Sequence, residues 1–331
     1  MKKYNVAIVG ATGLVGETFL KVLAEEKFPI NNLRLLASAR SAGKEIEYCG
    51  KKYVVEELNE DSFKGMDLAL FSAGGDISHE FAPIAEKAGC IVIDNSSCWR
   101  EDPTKALIVS EVNPEDCTIS RIIANPNCST IQSIVPLKPL QDKYGLKRVV
   151  YTTYQAVSGS GMKGVKDLER CLKGEKPQFY PYDISKTCIP EIDVPRPGGY
   201  TKEEMKMVHE TRKMLHLPNL KISATCVRVP IFNSHAVSIM IELEKPFEIE
   251  EVKQVLADYP GIVVVDDLEH HKYPVTDLSN GNNLVYVGRI RRDLSCDNGI
   301  LLYDVSDNIR KGAAANAVQI AQYMDKKGLI K

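Results

Sequence analysis

Residues 4–16 read Tyr4-Asn-Val-Ala-Ile-Val-Gly10-Ala-Thr-Gly13-Leu-Val-Gly16, a short apolar run closed by three glycines at three-residue spacing. Apolar residues then recur at Val15, Phe19, Val22 and Leu23, the spacing of one helix face, which predicts a helix from Leu14 to Glu26. Strand, glycine turn and helix in that order make a cradle for a dinucleotide. The glycines allow a tight turn and a close approach of pyrophosphate, and the helix start offers free N–H donors. Gly10, Ala11, Thr12, Gly13, Leu14, Val15 and Gly16 are therefore the candidate cofactor residues. Further strands are expected at Leu33–Ala37, Leu68–Ser72, Ile91–Asp94 and Arg121–Ala124, with a helix over Ile77–Lys87. Alternation of continuous apolar strands with helices predicts a mostly parallel sheet covered on both faces.

The pattern changes after residue 128. A helix is expected over Ser129–Tyr144, bent or interrupted by Pro136 and Pro139. Long alternating strands follow at Arg148–Gln155, Lys221–Val229 and Val237–Glu244. A helix over Glu248–Tyr259 comes next, with strands at Ile262–Val265, Leu284–Ile290 and Ile300–Asp304. These predict an α+β domain built on a mixed sheet with helices on one side. Residues 174–200 carry five prolines and little periodicity, an irregular excursion. An alanine-rich helix over Asn308–Lys326 could pack back on the first domain.

A chain of 331 residues fits about two domains. Hydrophobic residues are 44% and charged residues 26%, enough apolar material to exclude a disordered chain. The net charge of −2, with no basic stripe, argues against nucleic acid. No apolar run approaches the ~18 residues of a membrane span, and no export signal is legible, so a cytoplasmic protein with reduced thiols is expected. The nine cysteines show no C-x-x-C pair and no close cluster with histidine, so no metal is expected.

Two segments sharpen the chemistry. Leu36-Ala-Ser38-Ala-Arg40-Ser41 lacks the acid that grips ribose hydroxyls in NAD sites, while Arg40, Ser38 and Ser41 suit a 2′-phosphate; NADP is the expected cofactor. Cys128, in Asn125-Pro-Asn127-Cys128-Ser-Thr, lies between a strand end and a helix start. There the helix dipole and free N–H groups would favour a thiolate below the usual pKa of ~8.5 and receive an oxyanion.

With these segments in place the chain resembles the aspartate-semialdehyde dehydrogenases over essentially its whole length. The matching stretches are GATGLVG (10–16), ASARSAG (37–43), DNSSCWR (94–100), NPNCST (125–130), YQAVSGSG (154–161), EEMK (203–206), RVPIFNSH (228–235) and DNIRKGAAANA (307–317). The resemblance implies a Rossmann-like NADP-binding domain, residues 1–128 completed by a C-terminal helix at 308–331. It implies a substrate-binding and dimerisation domain at 129–307, and a homodimer or homotetramer. The implied reaction is NADPH-dependent reduction of 4-phospho-L-aspartate to the semialdehyde with release of inorganic phosphate. Cys128 would carry the acyl-thioester, His235 act as general acid–base, and Gln155 orient the intermediate. Arg228 would bind the substrate carboxylate, Glu203 face its ammonium, and Lys206, Arg100 and Asn127 hold phosphate. Ser158, Gly159 and Asn308 would touch the cofactor.

Two departures from the family pattern bear on the histidine. Ala236-Val237 follow His235 where an acid is common, and Ser234 precedes it where glycine is common. Rival readings are reduction of another acyl-phosphate such as N-acetyl-glutamyl phosphate, reduction of a coenzyme A thioester, and a non-catalytic NADP-binding regulator.

Overall fold

The computed structural model describes residues 2–330 and divides into two compact units. One comprises the chain up to Pro126 together with the segment from Ala313 onward; the other is Asn127–Gly312. The boundary differs from expectation at the second crossing. The terminal helix begins at Ala315 after a π-helical turn at Arg310–Ala314, and residues 308–312 belong to the second unit.

The first unit is built on an eight-stranded sheet. Its strands are β1 (Tyr4–Val9), β2 (Ile30–Ala37), β3 (Glu45–Tyr48), β4 (Lys51–Glu57), β5 (Leu68–Phe71), β6 (Ile91–Asp94), β7 (Ala106–Leu107) and β8 (Ile122–Ala124), in the order β3-β4-β2-β1-β5-β6-β8-β7. Every pairing is parallel except the β3–β4 hairpin. That charged and largely exposed hairpin gave no apolar signal, so it was not anticipated. Alternation sorts the central strands into two cores. Val6, Ile8, Leu68 and Leu70 pack with Phe19 and Val22 of helix α1 (Leu14–Glu25) and with Val318 and Met324 of the terminal helix. Ala7, Val9, Ala69 and Phe71 pack with Phe81 and Ala85 of helix α2 (Gly75–Lys87). Strand order reverses between β1 and β5, and the crevice beyond the strand ends at such a switch point is where α/β sheets take ligands.

The second unit holds a six-stranded mixed sheet. Its strands are β9 (Leu146–Gln155), β10 (Lys221–Arg228), β11 (His235–Leu243), β12 (Ile262–Val264), β13 (Val285–Arg292) and β14 (Gly299–Ser306), ordered β10-β9-β11-β14-β13-β12. The outer pairs β10–β9 and β13–β12 are parallel and the inner pairings antiparallel. Helices α3 (Cys128–Tyr144), α5 (Lys202–Met214) and α6 (Ile249–Ala257) pack on the sheet, while α4 (Met162–Leu172) follows β9. On β11, Val237, Ile239 and Ile241 are buried while Ser238 and Met240 are half-exposed, so one sheet face is covered and the other open.

Of the bend or interruption expected at the two prolines, the interruption does not occur: α3 runs through both. Each removes a backbone donor at a cost of about 3 kcal/mol in a helix interior. Ile131, Ile134, Val135, Leu137 and Leu140 are all fully buried. At about 2 kcal/mol per buried side chain their burial exceeds that penalty. Packing decided the helix. Among the described residues no helix is long and apolar enough to cross a membrane.

Candidate active site

Sheet register assembles the site in the second unit. Parallel pairing sets Arg228 opposite Gln155, the last residues of β10 and β9. Strand β11 runs the other way, pairing Ala236 with Tyr154, so His235 at its start lies at that same sheet end. Three side chains scattered over 80 residues of sequence thus share one edge because of strand direction alone.

The helix on the covered face brings the thiol. Asn127 is the N-cap of α3; its Oδ1 accepts from the amides of Ser129 (2.9 Å) and Thr130 (3.3 Å). Those two N–H groups are therefore not the free donors expected at this helix start. Cys128, the first helical residue, is half-exposed, and its Sγ lies 3.2 Å from His235 Nε2. Cys90, Cys117, Cys171 and Cys226 are buried, and burial pushes each of those thiols up in pKa. Gly312 packs against this turn: a Cβ there would come within 2.9 Å of the Cys128 Cβ.

Helix α5 adds a charged cluster. Its start is set by a capping box, in which Thr201 accepts from the Glu204 amide while Glu204 accepts from that of Thr201. Glu203 is thereby turned inward. Its Oε1 accepts from Asn127 Nδ2 (2.8 Å) and Gln155 Nε2 (3.0 Å), and its Oε2 from Lys206 Nζ (2.9 Å). Burial alone would raise the Glu203 pKa, but the Lys206 charge and these three donors outweigh it and hold the group at about 2. Lys206 also donates to Asp193 Oδ2 at 2.8 Å. In this i,i+3 pair Glu203 is buried and Lys206 half-buried.

His235 is fully buried. Burial and then the Arg228 charge push its pKa down to about 3. The partner that sequence left open is the backbone N–H of Ala156, which donates to Nδ1 at 3.0 Å. The carbonyl of the same residue accepts from Arg228 Nη1 at 2.6 Å. Ser234 adopts φ +70, a left-handed conformation that favours glycine and explains the family preference there. Here its Oγ donates to Asn280 Oδ1 (2.6 Å) and its amide to Asn308 Oδ1 (2.9 Å), ties that hold the turn. Asn308 also bonds Ser158. Gly159 leaves space beside the ring: a Cβ there would lie 3.0 Å from Arg228 Nη1 and 3.1 Å from His235 Nε2.

Two groups were missed by sequence reasoning. Glu210, buried on α5, accepts the Asn127 amide through Oε2 at 2.7 Å. Its place seven residues after Glu203, on the same helix face, was the available signal. Gln132, also buried, donates to the His235 carbonyl (3.1 Å) and to Asp304 Oδ1, whose pKa burial pushes up to about 8. Neither spacing nor composition marks that pair.

In the first unit, Gly10 has φ +84, and a Cβ on it would collide with the Ser72 carbonyl. A Cβ on Gly16 would collide with the Gly10 carbonyl. Gly13 differs: its Cβ would meet only the Gly10 oxygen at 3.4 Å, and as N-cap of α1 it supplies no side-chain cap. The α1 start, with Leu14 and Val15 half-buried, is thus a cradle of backbone donors, a fit for a pyrophosphate. Ala11 is buried beneath the turn, and Thr12 Oγ1 lies 3.4 Å from Ser41 Oγ. Ser38 and Arg40 are exposed just after β2, and no acid ends that strand. Arg100 is buried in this unit, donating to the carbonyls of Asn125 (2.9 Å) and Asn95 (3.0 Å). Among the described residues no three His, Cys, Asp or Glu side chains are grouped to hold a metal.

Residues 5–119 match the semialdehyde dehydrogenase NAD binding domain, and residues 137–311 the semialdehyde dehydrogenase dimerisation domain. The chain is 53% identical to aspartate-semialdehyde dehydrogenase of Aquifex aeolicus, with 99% of each chain covered. Identity to the Bacillus subtilis enzyme is 45%, covering 98% of this chain and 99% of the other. Among solved structures, aspartate semialdehyde dehydrogenase II of Vibrio cholerae complexed with ASA superposes with a TM-score of 0.95 at 45% identity, covering 98% and 99%. The Candida albicans aspartate semialdehyde dehydrogenase with NADP gives 0.80 at 26%, covering 99% and 100%.

Proposed function

The chain belongs to the aspartate-semialdehyde dehydrogenase family, oxidoreductases that reduce aspartyl phosphate to aspartate semialdehyde in amino-acid biosynthesis, and from that premise we propose how its own residues divide the work. The contact that carries the reading is Cys128 Sγ at 3.2 Å from His235 Nε2, with Gln155 and Arg228 on the neighbouring strand ends. Cys128 attacks the acyl carbon of 4-phospho-L-aspartate, phosphate leaves, and a thioester holds the acyl group. A sulfur suits both ends of the cycle, being a strong nucleophile and a good leaving group. His235 serves the sulfur and the oxyanion formed beside it. Arg228 takes the substrate α-carboxylate through its guanidinium fork.

Glu203 receives three donors, which leaves room among its roughly four lone-pair sites for the substrate ammonium. An ionised carboxylate here favours a free amino group over an N-acetylated one. Gln155, tied to Glu203, orients the acyl group. Asn127, Lys206 and, on the resemblance alone, Arg100 hold phosphate.

The cofactor, when bound, supplies hydride to the acyl carbon. Its pyrophosphate is assigned to the N–H groups at the start of α1, and its 2′-phosphate to Arg40 with Ser38 and Ser41. NADP is thus the proposed form. Ser158, Gly159 and Asn308 are its proposed contacts in the second unit. The dimerisation-domain match supports an oligomer. The open sheet face with Val150, Thr152, Tyr154, Met240 and Tyr303 is assigned to a second copy of the chain, as homodimer or homotetramer.

The test is spectrophotometric. With semialdehyde, NADP and inorganic phosphate together, reduced cofactor accumulates; omission of phosphate or replacement of NADP by NAD lowers the rate. Cys128→Ala loses at least about 10³-fold in kcat. Activity retained in that variant refutes the reading.

A further inference from the structure

Helix α3 is tied to the strand that begins at His235 by more than the thiol. Four residues after Cys128, on the same helix face, Gln132 donates from Nε2 to the His235 carbonyl at 3.1 Å and to Asp304 Oδ1. The register of β14 against β11 sets Asp304 opposite Val237, on the covered face of the sheet. Gln132, His235 and Asp304 are all fully buried. A carbonyl cannot donate, so the His235 oxygen demands the NH2 edge of the amide, and Asp304 accepts the second hydrogen of that group. We propose that Gln132, with its amide fixed by Asp304, is a positioning residue for the reaction: it locks the His235 main chain to the helix that carries Cys128. The proposal rests on the reading in which Cys128 and His235 perform the chemistry, and it leaves the ring free to take and give protons.

The contact between the two side chains does not by itself fix their distance. Cys128 Sγ and His235 Nε2, 3.2 Å apart, both lie at the ends of rotatable bonds. Gln132 acts instead on the main chain of His235, where a shift would carry the whole residue away from the helix. A misplacement of about 1 Å in a reacting pair can cost on the order of 10²-fold in rate.

Stability does not explain the pair. Asp304 is a carboxyl whose pKa burial pushes up to about 8, against the opposing pull of Gln132 and Ser133. Its Oδ2 and the Gln132 Oε1 find no hydrogen-bond partner among the described residues. Buried polar groups left half-satisfied cost stability, and apolar side chains of similar size would fill the same space without that cost. In either protonation state of Asp304 one carboxyl oxygen remains an acceptor for Gln132, so the tie does not depend on ionisation.

The experiment compares variants with the parent in the phosphate-dependent NADP assay. Beside it run a denaturant melt and the rate of iodoacetamide labelling of Cys128, read on its peptide by mass spectrometry. Gln132→Leu should lower kcat and kcat/KM together by about 10- to 10²-fold with KM little changed, and labelling of Cys128 should slow as the ring loses its alignment. Adding Asp304→Leu removes both polar partners and should recover most of the lost stability while kcat stays down. Asp304→Asn keeps an acceptor toward Gln132 and should hold kcat within about threefold of the parent, where Asp304→Leu alone loses about tenfold. A double variant that regains kcat along with stability shows a purely structural pair and overturns the proposal. So does a Gln132→Leu protein with parent kcat, or an Asp304→Leu protein as active as Asp304→Asn. If Gln132→Leu does not fold, the double variant decides, and its own failure to fold counts against the proposal, because the apolar pair is expected to fill the space. An absent acyl adduct on Cys128 of the parent during turnover refutes the proposed reaction, while the labelling rates still decide whether Gln132 sets the sulfur against the ring.

Discussion

Two strand-to-helix corners of this chain solve the same problem in opposite ways. At the β1–α1 corner the N-cap is Gly13, with no side chain to satisfy the first amides of the helix. At the β8–α3 corner the N-cap is Asn127, whose Oδ1 already takes two of them. An uncapped helix start keeps its partial positive charge and its donors for a ligand's phosphates. A capped one is closed and rigid, so it can hold a side chain, here Cys128, at a fixed distance from His235 on another element. On the proposed reading the first corner binds with backbone. The second positions a sulfur through Asn127, Glu203 and Glu210, and its chemistry lies in side chains.

Exchanging the two designs should produce the largest effect at the first corner. Gly13→Asn has space for its Cβ and would cap α1 with its own oxygen, so cofactor Kd should rise about 10³-fold while stability gains only a few tenths of a kcal/mol. Isothermal titration with NADPH, beside a denaturant melt, separates the two; unchanged affinity would mean that the cofactor does not use that helix start. The next effect concerns the charge behind the second corner. The Glu203 pKa lies near 2 in the fold against an ordinary 4.5, so ionised Glu203 adds stability above about pH 4.5, lost as pH falls toward 2. Glu203→Gln should remove that acid-sensitive component, about 3 kcal/mol as an upper figure, so its denaturant midpoint varies less between pH 5 and 2. An equal acid response in parent and variant would show the carboxylate to be unpaired. The smallest effect is loss of the cap itself: Asn127→Ala should cost about 1 kcal/mol of stability. It should also lower kcat more than it raises KM, since the sulfur is moved while the Arg228 contact remains. A change confined to KM would remove Asn127 from the positioning of Cys128.

The pattern of legibility follows the reach of each force. The glycine turn, the helix at 14–25 and the parallel strands announced themselves because their signals are local periodicity and backbone freedom. Cys128 was readable for the same reason, as a thiol at a predicted strand-to-helix turn. The hairpin at 45–57 was not, because its exposed charged strands bury little. The prolines of α3 misled because local propensity was overruled by five fully buried apolar side chains. For His235, Gln155, Arg228 and Glu203 the roles came only with the family resemblance. In the residues alone they are a lone histidine, an amide, an arginine and a surface acid.

Sequence by itself determined most of the elements, the glycine turn and the thiol proposed as nucleophile, since these depend on side-chain size, spacing and the missing Cβ of glycine. Only the tertiary structure decided that parallel β9–β10 and antiparallel β9–β11 pairing bring Gln155, Arg228 and His235 to one sheet edge. It alone decided, too, that the ring is oriented by the amide of Ala156 rather than by an acid. A backbone N–H is the same in every residue but proline, so no sequence signal distinguishes the one that folding aims at an imidazole.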